Sequence, residues 1–346
     1  MRARFALRRL PRWASIATGR PSTNGPQLYY GRDRIPRRDE LAHGGIVKFQ
    51  ALAEAWPGSP RDFNIVYLGS STVPEDVGVL LRLARRRSAI VVWNQNGVAY
   101  PGWHGEGWKQ TNRPLGQGLH AADRVFFQSA FCKASSDRFL GEPAAPWEVL
   151  HNPVDTARFT PTEAPPKRPT LLLGGNRTQA YRFETALRTL TLLPEEWQLL
   201  AVGAVPPGAE EGIAELGLET RVELAGPYSQ SEAPGLLRRA HVLLHPTYND
   251  ACPTFVLEAM ACGLPVVYSA SGGTPELVGE SGIGLPAPLD WERNHPPAPQ
   301  ELRDAVLEAM QRRDQLAPAA RRRTVERFDL RQWLDRHRRL FDELAP

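Results

Sequence analysis

Short β-rich apolar runs alternate with helical patterns nearly throughout this chain of 346 residues, and the alternation runs twice, once on each side of a proline-rich break. Strands of that kind, each followed by a helix, belong in a parallel sheet covered by helices on both faces. In the first series Ile65–Leu68 reads as a buried strand. Ser71, Thr72, Pro74 and Glu75 then supply cap, early proline and first-turn acid for a helix whose Val77, Leu80, Leu81 and Ala84 recur at i, i+3, i+4 and i+7. Gln27–Tyr30, Ile90–Trp93 and Val125–Phe127 are further strands, the last leading into a helix over Phe131–Leu140. From Phe159 to Pro169 the chain has no periodicity and reads as a linker. A second series follows, with strands at Thr170–Leu173, Gln198–Val202, Val222–Ala225, Val242–His245 and Pro265–Tyr268. Helical segments intervene around Phe183–Leu193, Ala209–Leu216, Ser231–Ala240 and Phe255–Cys262, the last stopped by Gly263.

Two such series predict two doubly wound α/β domains, residues 1–165 and 166–327, joined by a proline-rich hinge and facing a cleft. Two helices, Glu301–Arg313 and Arg331–Leu344, close the chain. Composition narrows the function classes. With 42% hydrophobic and 23% charged residues the chain is globular rather than disordered. Lys+Arg 42 against Asp+Glu 38 gives a net charge of only +4, and the arginine clusters sit on separate helices without interleaved stacking aromatics. Nucleic acid is therefore not an expected partner, although an arginine-rich nucleic-acid-binding protein stays as an alternative class. Three cysteines without a C-x-x-C pair encode neither a disulfide framework nor a zinc site, which favours a reducing cytoplasm. No stretch approaches the roughly 18 apolar residues that cross a bilayer. The N-terminus mixes Arg2, Arg4, Arg8 and Arg9 with Phe5, Leu7, Leu10 and Trp13, a composition suited to peripheral contact with an anionic membrane at its inner face. His241 and His245 lie about 13 Å apart on one strand, too far to share an ion, and no metal site is expected.

In an open parallel sheet, ligands bind outside the carboxyl ends of the strands, so the loops just after the strands are the ones to read. The strand ending at Leu173 is followed by a glycine turn, Arg177 and then Arg182, two guanidiniums able to hold a diphosphate through bidentate, charge-assisted contacts. After Val242–His245 come Asp250 in the loop and Glu258 early in the next helix, two carboxylates suited to sugar and ribose hydroxyls. After Pro265–Tyr268, Gly272, Gly273 and Thr274 introduce a helix with Thr274 as cap and Pro275 at its first position, leaving free N–H groups that attract phosphate.

The stretch 241–285, above all Asn249 through Val267 and Gly272 through Val278, closely resembles the retaining GT-B glycosyltransferases of family 4, strongly over 169–285 and more weakly over 44–159. That family carries an E-x7-E pair of acids; Glu258 matches the second and Asp250 stands at the first as a shorter carboxylate. Arg177 and Arg182 match its Arg-x4-Lys/Arg diphosphate clamp, and the turn at Gly226, Pro227 and Tyr228 resembles its nucleobase-contacting turn. Gly44 and Gly45 resemble its glycine turn facing the donor diphosphate. Relatives often have His-Gly after the strand matching Ile90–Trp93, where this chain has Asn96 and Gly97; His104 is a second candidate for the sugar-contacting role.

The resemblance implies a two-domain enzyme whose second domain binds a nucleotide-sugar donor and whose first domain faces the acceptor, with the C-terminal helix, 328–346, crossing back to brace the first. The implied reaction moves a sugar to an acceptor hydroxyl with retention, in cell-surface glycan or glycolipid synthesis. Arginines would take the place of a metal ion, and no cofactor is expected. A GT-B sugar-nucleotide epimerase is the alternative within the same fold.

Overall fold

The structure, a computed structural model, describes residues 13–19, 25–42, 44–164, 166–174 and 179–345. The chain divides into two compact units. One takes in the chain up to Arg37, then as far as His151, and again from Arg331 onward; the other takes in Arg38–Ala42 and Asn152–Leu330.

Among the described residues the first unit holds one parallel sheet in the order β1 (Leu28–Tyr29), β2 (Ile65–Gly69), β3 (Ile90–Gln95), β4 (Arg124–Phe127) and β5 (Trp147–Val149). Its middle strands are buried over nearly their whole length, as a sheet covered on both faces requires. Period-two alternation sorts their side chains. Leu68 and Trp93 are aligned neighbours pointing to one face, where the Trp93 ring lies so close to the helix Trp108–Ala121 that a Cβ on Gly118 would come within 2.0 Å of it. Tyr67, Asn94 and Phe126 point to the other. There Phe49 of the helix Gly44–Ala55 packs on Tyr67, and the C-terminal helix Leu330–Leu344 lays down Trp333, His337, Leu340 and Phe341. That spacing of i, i+4, i+7 and i+8 is one apolar stripe on an otherwise charged helix.

The C-terminal helix is therefore part of the first unit. A buried hydrogen-bond chain ties it to the sheet: Gln128 Nε2 donates to Asn94 Oδ1 at 2.6 Å, Asn94 Nδ2 donates to the Tyr67 hydroxyl at 3.1 Å, and that hydroxyl lies 2.9 Å from His337 Nε2. His337 Nδ1 sits 2.8 Å from the Trp333 carbonyl. A neutral imidazole has one donor and one acceptor nitrogen, so Nδ1 carries the proton and Nε2 accepts from Tyr67.

The second unit has the sheet order β11 (Gly282–Pro286), β10 (Val266–Ala270), β9 (Val242–His245), β6 (Thr170–Gly174), β7 (Gln198–Val202), β8 (Val222–Gly226), all parallel. Counted from β6 this is the doubly wound order 3-2-1-4-5-6. Leu171 and Leu173 pack with Phe183, Ala186, Leu187 and Leu190 of the helix after β6. Leu172 and Leu243 pack instead with Val256 and Leu257 of the helix after β9. The two connections thus leave to opposite faces, and the sheet has its switch point between β6 and β9.

The division falls at His151/Asn152, and the run read as a hinge lies inside the second unit. Val154 bridges Asp329 in parallel, Val154 N donates to Phe328 O at 2.9 Å, and Phe159 is buried in the same core. Those contacts anchor 152–160 before the proline-rich run begins. Arg38–Ala42 joins this unit through Arg38 Nη1, 3.1 Å from Asp155 Oδ2, and through the Arg38 carbonyl, which accepts from Ser231 N at 3.1 Å. No described helix is long and apolar enough to cross a membrane.

Candidate functional site

The loops after β6 and β9 flank the switch point, and they are linked to each other. Tyr248 N, three residues past β9, donates to the Tyr181 hydroxyl at 3.0 Å. Gly174 ends β6 beneath the Phe255 ring, where a Cβ would come within 2.9 Å of a ring carbon. Arg177 lies outside the described residues. Arg182, in the first turn of the helix Ala180–Leu192, is buried and donates from Nη2 to Gly174 O at 2.9 Å. Burial pulls its pKa down, while the Asp250 carboxylate and Tyr181 push it back up. Arg182 and Asp250 are thus electrostatic neighbours although 68 positions separate their numbers.

His245 closes β9 and is fully inside. Its Nε2 lies 3.3 Å from Asp250 Oδ2, close enough for charge coupling but without hydrogen-bond alignment. Burial, the larger effect, lowers the His245 pKa, and Asp250 opposes it, so at neutral pH the imidazole is neutral. The Asp250 side chain keeps 26% of its surface in contact with solvent. Its loop is locked from below: Asn249 takes φ +52 and donates from its backbone N to Ser271 Oγ at 2.8 Å. Gly272, at φ +67, brings its backbone so near that a Cβ would sit 2.4 Å from the Asp250 carbonyl.

That close fit corrects the expected capping of this turn. The Gly273 N–H is spent on the Asp250 carbonyl at 2.7 Å. Gly273, not Thr274, caps the helix Thr274–Val278; Thr274 is its first residue, with a buried Oγ1 that has no partner among the described residues. Gly272 and Thr274 stay beside Asp250, but as packing and as an unspent hydroxyl.

Glu258 stands in the second turn of the helix Thr254–Ala261, past the reach of the helix N-terminus. It is buried, and Gln230 Nε2 donates to its Oε1 at 2.6 Å. Burial lifts its pKa to about 7, opposed by the Gln230 hydrogen bond and by the charge of Arg158. Tyr228 shares this corner: burial raises its pKa, and the Glu258 charge raises it further. The turn after β8, begun by Gly226 at φ +72, therefore meets the helix after β9 as the paired motifs suggest.

Buried polar atoms without partners gather at this edge. Gln179 Oε1, Arg182 Nε, His245 Nε2, Thr247 Oγ1, Asn249 Oδ1 and Thr274 Oγ1 are all unsatisfied by the described residues. Folded proteins rarely leave such groups unpaired, so their concentration marks where a polar ligand belongs.

In the first unit Gly44 and Gly45 open the helix Gly44–Ala55 rather than forming a separate turn, and the space where a Gly44 Cβ would go is open. Asn96 follows β3; its N donates to Ser70 Oγ at 2.8 Å, and its carbonyl accepts from Gln95 Nε2 at 2.7 Å. His104 turns Nε2 to Thr111 Oγ1 of the helix Trp108–Ala121 at 2.9 Å and Nδ1 to Glu106 O of its own loop at 3.1 Å. His241 stands at the far end of β9 from His245, its Nδ1 accepting from Thr170 N at 3.2 Å. All three cysteines are buried, and none is joined in a disulfide among the described residues. Residues that the motifs did not single out for the site are Tyr181, His245, Gln230 and Ser271. Their signal was only positional, since each directly follows or ends a strand, or flanks a residue already marked.

Residues 168–311 match the family model described as glycosyl transferases group 1. Over 172 residues the chain is 33% identical to a D-inositol 3-phosphate glycosyltransferase of Mycolicibacterium vanbaalenii, covering 42% of this chain and 38% of that protein. A protein of the same name from Streptomyces bingchenggensis is 36% identical over 94 residues, 26% of this chain and 21% of its own length. The chain thus spans less than half the length of these relatives. Among solved structures, sucrose-phosphate synthase from Thermosynechococcus elongatus superposes with a TM-score of 0.70 at 19% identity, over 86% of this chain and 76% of that one. The Anabaena protein HepE in complex with UDP and glucose gives 0.67 at 18% identity, over 81% and 78%. The chain is an α/β protein of two parallel-sheet, Rossmann-like domains with the fold of GT-B glycosyltransferase structures, and its second unit contains the region that matches the group 1 glycosyltransferase model.

Proposed function

We propose that this protein is a retaining GT-B glycosyltransferase of the family 4 type, moving a sugar from a nucleotide diphosphate to an acceptor hydroxyl in the synthesis of a cell-surface glycan or glycolipid. The observation that carries this reading is the set of unpartnered buried polar atoms around Arg182, His245 and Thr274 at the switch point. They lie within the segment that matches the family model. In this reading the second unit is the donor domain. Arg177 and Arg182 hold the diphosphate, Glu258 takes the ribose hydroxyls and Tyr228 lies against the base. Asp250, backed by His245, orients the donor sugar, with Gly272, Gly273 and Thr274 shaping the floor. In the first unit Gly44 and Gly45 serve the donor diphosphate and Asn96 the donor sugar. Positive side chains stabilise the charge that grows on the leaving group, so turnover proceeds without a resident metal ion. The likeness to HepE, solved with UDP and glucose, favours a uridine nucleotide among donors to be tried first. A cytoplasmic protein touching the inner face of an anionic membrane fits the basic N-terminal sequence.

Calorimetric titration with UDP, GDP, ADP and their nucleosides tests this. One diphosphate is expected to bind best. Arg177→Ala then weakens that diphosphate by about 1.5–3 kcal/mol, the range for hydrogen bonds to charged groups, and leaves the nucleoside nearly unchanged. Equal losses for both would remove the clamp assignment, and no binding of any nucleotide would remove the reading itself.

Glu258 adds a pH dependence with a definite sign. Burial keeps it protonated up to about pH 7. Its own effect on stability is unfavourable as pH rises from the ordinary glutamate range toward 7, because the native state retains a proton that the unfolded chain has released. Ribose hydroxyls donate best to the ionised form, so nucleotide affinity is expected to rise between pH 6 and 8, by up to about tenfold per unit below the transition. Glu258→Gln should flatten that profile. An equally steep rise in Glu258→Gln would assign the pH dependence to another group.

A further inference from the structure

A second cationic site lies at the opposite end of the same sheet. A cavity of about 410 Å³ opens below the N-terminal ends of β9 and β10, a strand's length, roughly 15 Å, from Asp250. Its walls include Arg238, Arg313 and Arg321 over an apolar floor at Leu264, with one carboxylate, Asp314, among the lining residues. Three guanidiniums against one acid leave a charge of +2 around a space within the usual range for small-molecule pockets.

The protein's own contacts account for only part of this positive charge. Arg238 gives three hydrogen bonds, to Thr160 O, Thr160 Oγ1 and Arg158 O, and leaves Nη1 unused. Arg321 gives three, to Phe159 O, Ala261 O and Thr156 O, and leaves Nε unused. These two arginines have a structural task, holding the segment 156–160 in place. Arg313 has none: it makes no hydrogen bond or ion pair with any described residue, and its Nε is buried without a partner. Its charge is felt by the neighbouring His241, whose pKa it helps to lower after burial. No carboxylate among the described residues forms an ion pair with any of the three. Their acceptors are neutral, so an excess of positive charge remains after Asp314 is counted.

We propose that this cavity binds a phosphate-bearing small molecule, with Arg313 as the anchoring side chain and the free edges of Arg238 and Arg321 as its second and third contacts. A guanidinium fork matches phosphate oxygens bidentately, and the apolar floor accommodates an organic body attached to the phosphate. The site is separate from the donor edge and does not rest on the glycosyltransferase reading.

Pyrophosphate and glycerol 3-phosphate, titrated calorimetrically into the full chain already saturated with UDP, test it; the first arm reads phosphate alone and the second an organic phosphate. At least one is expected to bind while UDP is present. Arg313→Gln should weaken it at least tenfold with an unchanged melting temperature, and Arg313→Lys should recover part of the loss. Arg238 and Arg321 are left intact because their removal would loosen the 156–160 segment. Binding that is equal in wild type and Arg313→Gln overturns the proposal, as does displacement by UDP, which would place the anion at the donor edge. Should UDP itself fail to bind, the Arg313 dependence still decides this site while the donor reading falls on its own.

Discussion

Arg182→Ala is expected to lower kcat about 10²–10³-fold at saturating donor, the loss found when one preorganised donor to developing negative charge is removed. The side chain is preorganised in a way that a surface arginine is not. Nη2 is tied to the Gly174 carbonyl at 2.9 Å, which fixes the plane of the guanidinium against the end of β6. Nε is buried and unspent, so one edge of the fork remains for a ligand oxygen. Asp250 stabilises the positive charge in a setting where burial opposes it. Each phosphate oxygen placed there trades water for a fixed cation in a low-dielectric site, and the gain grows as the leaving group takes up charge. Arg182→Lys keeps the charge but loses the fork and should restore only part of the rate. Because the side chain is buried, the melting temperature of each variant has to be measured alongside. A variant that folds normally and turns over at the wild-type rate would reduce Arg182 to a structural tie for the Gly174 carbonyl.

Much of this site could be read before any coordinates, because in a doubly wound sheet the chemistry follows directly after the strands. β7 and β9 occupy the residues expected from their apolar runs; Asp250 stands in the loop after β9, Arg182 in the first turn of its helix and Glu258 in the second turn of its own. What escaped the sequence was contact between separate loops. The Gln230–Glu258 hydrogen bond joins the ends of β8 and β9, and the nearness of His245 to Asp250 depends on a loop folding back over its own strand, with Asn249 at positive φ. The Gly273 N–H was misassigned for the same reason: a free helix N-terminus and one pinned to a neighbouring carbonyl have the same sequence. Two helices were hidden by internal prolines. Trp108–Ala121 contains Pro114 and Arg313–Arg327 contains Pro318, each removing a backbone donor where sequence patterns count it as a break. The second also buries only Leu316, Ala320 and Thr324 beneath a polar surface, too weak a stripe to register as a period. Gly44 and Gly45, which the resemblance marks as a glycine turn, sit at the helix start, where the cost of glycine in a helix is smallest.

His337 should make the first unit sensitive to acid. Burial holds its pKa at about 3; the hydrogen bond to the Trp333 carbonyl opposes that shift, and the charges of Arg336 and Lys48 add to it. In the unfolded chain the same group titrates near 6.5. Below that value the unfolded state binds a proton that the native state refuses, so stability is lost as pH falls, at about 1.4 kcal/mol per pH unit, until the native imidazole itself titrates. From pH 6.5 to 3 this amounts to about 4–5 kcal/mol from one residue, a large share of the stability of an ordinary domain. The physical origin is the buried chain from Gln128 through Asn94 and Tyr67 to His337, in which Nε2 must accept. A protonated ring would turn two donors toward Tyr67 and Trp333 and force the hydroxyl to give up its present geometry. A chain of two units need not unfold in one step. The opening of the Trp333–Phe341 segment is therefore best read locally, by hydrogen exchange corrected for intrinsic rates between pH 4 and 7. His337→Gln loses ring packing against Trp333 and Phe126 and should be less stable at pH 7. The gap between wild type and variant should then narrow by about 1.4 kcal/mol for each pH unit below 6.5, since the carboxylates elsewhere contribute equally to both. A gap that stays constant down to pH 4 would mean that His337 is protonated in the native state and that the polarity assigned to the Tyr67 hydrogen bond is reversed.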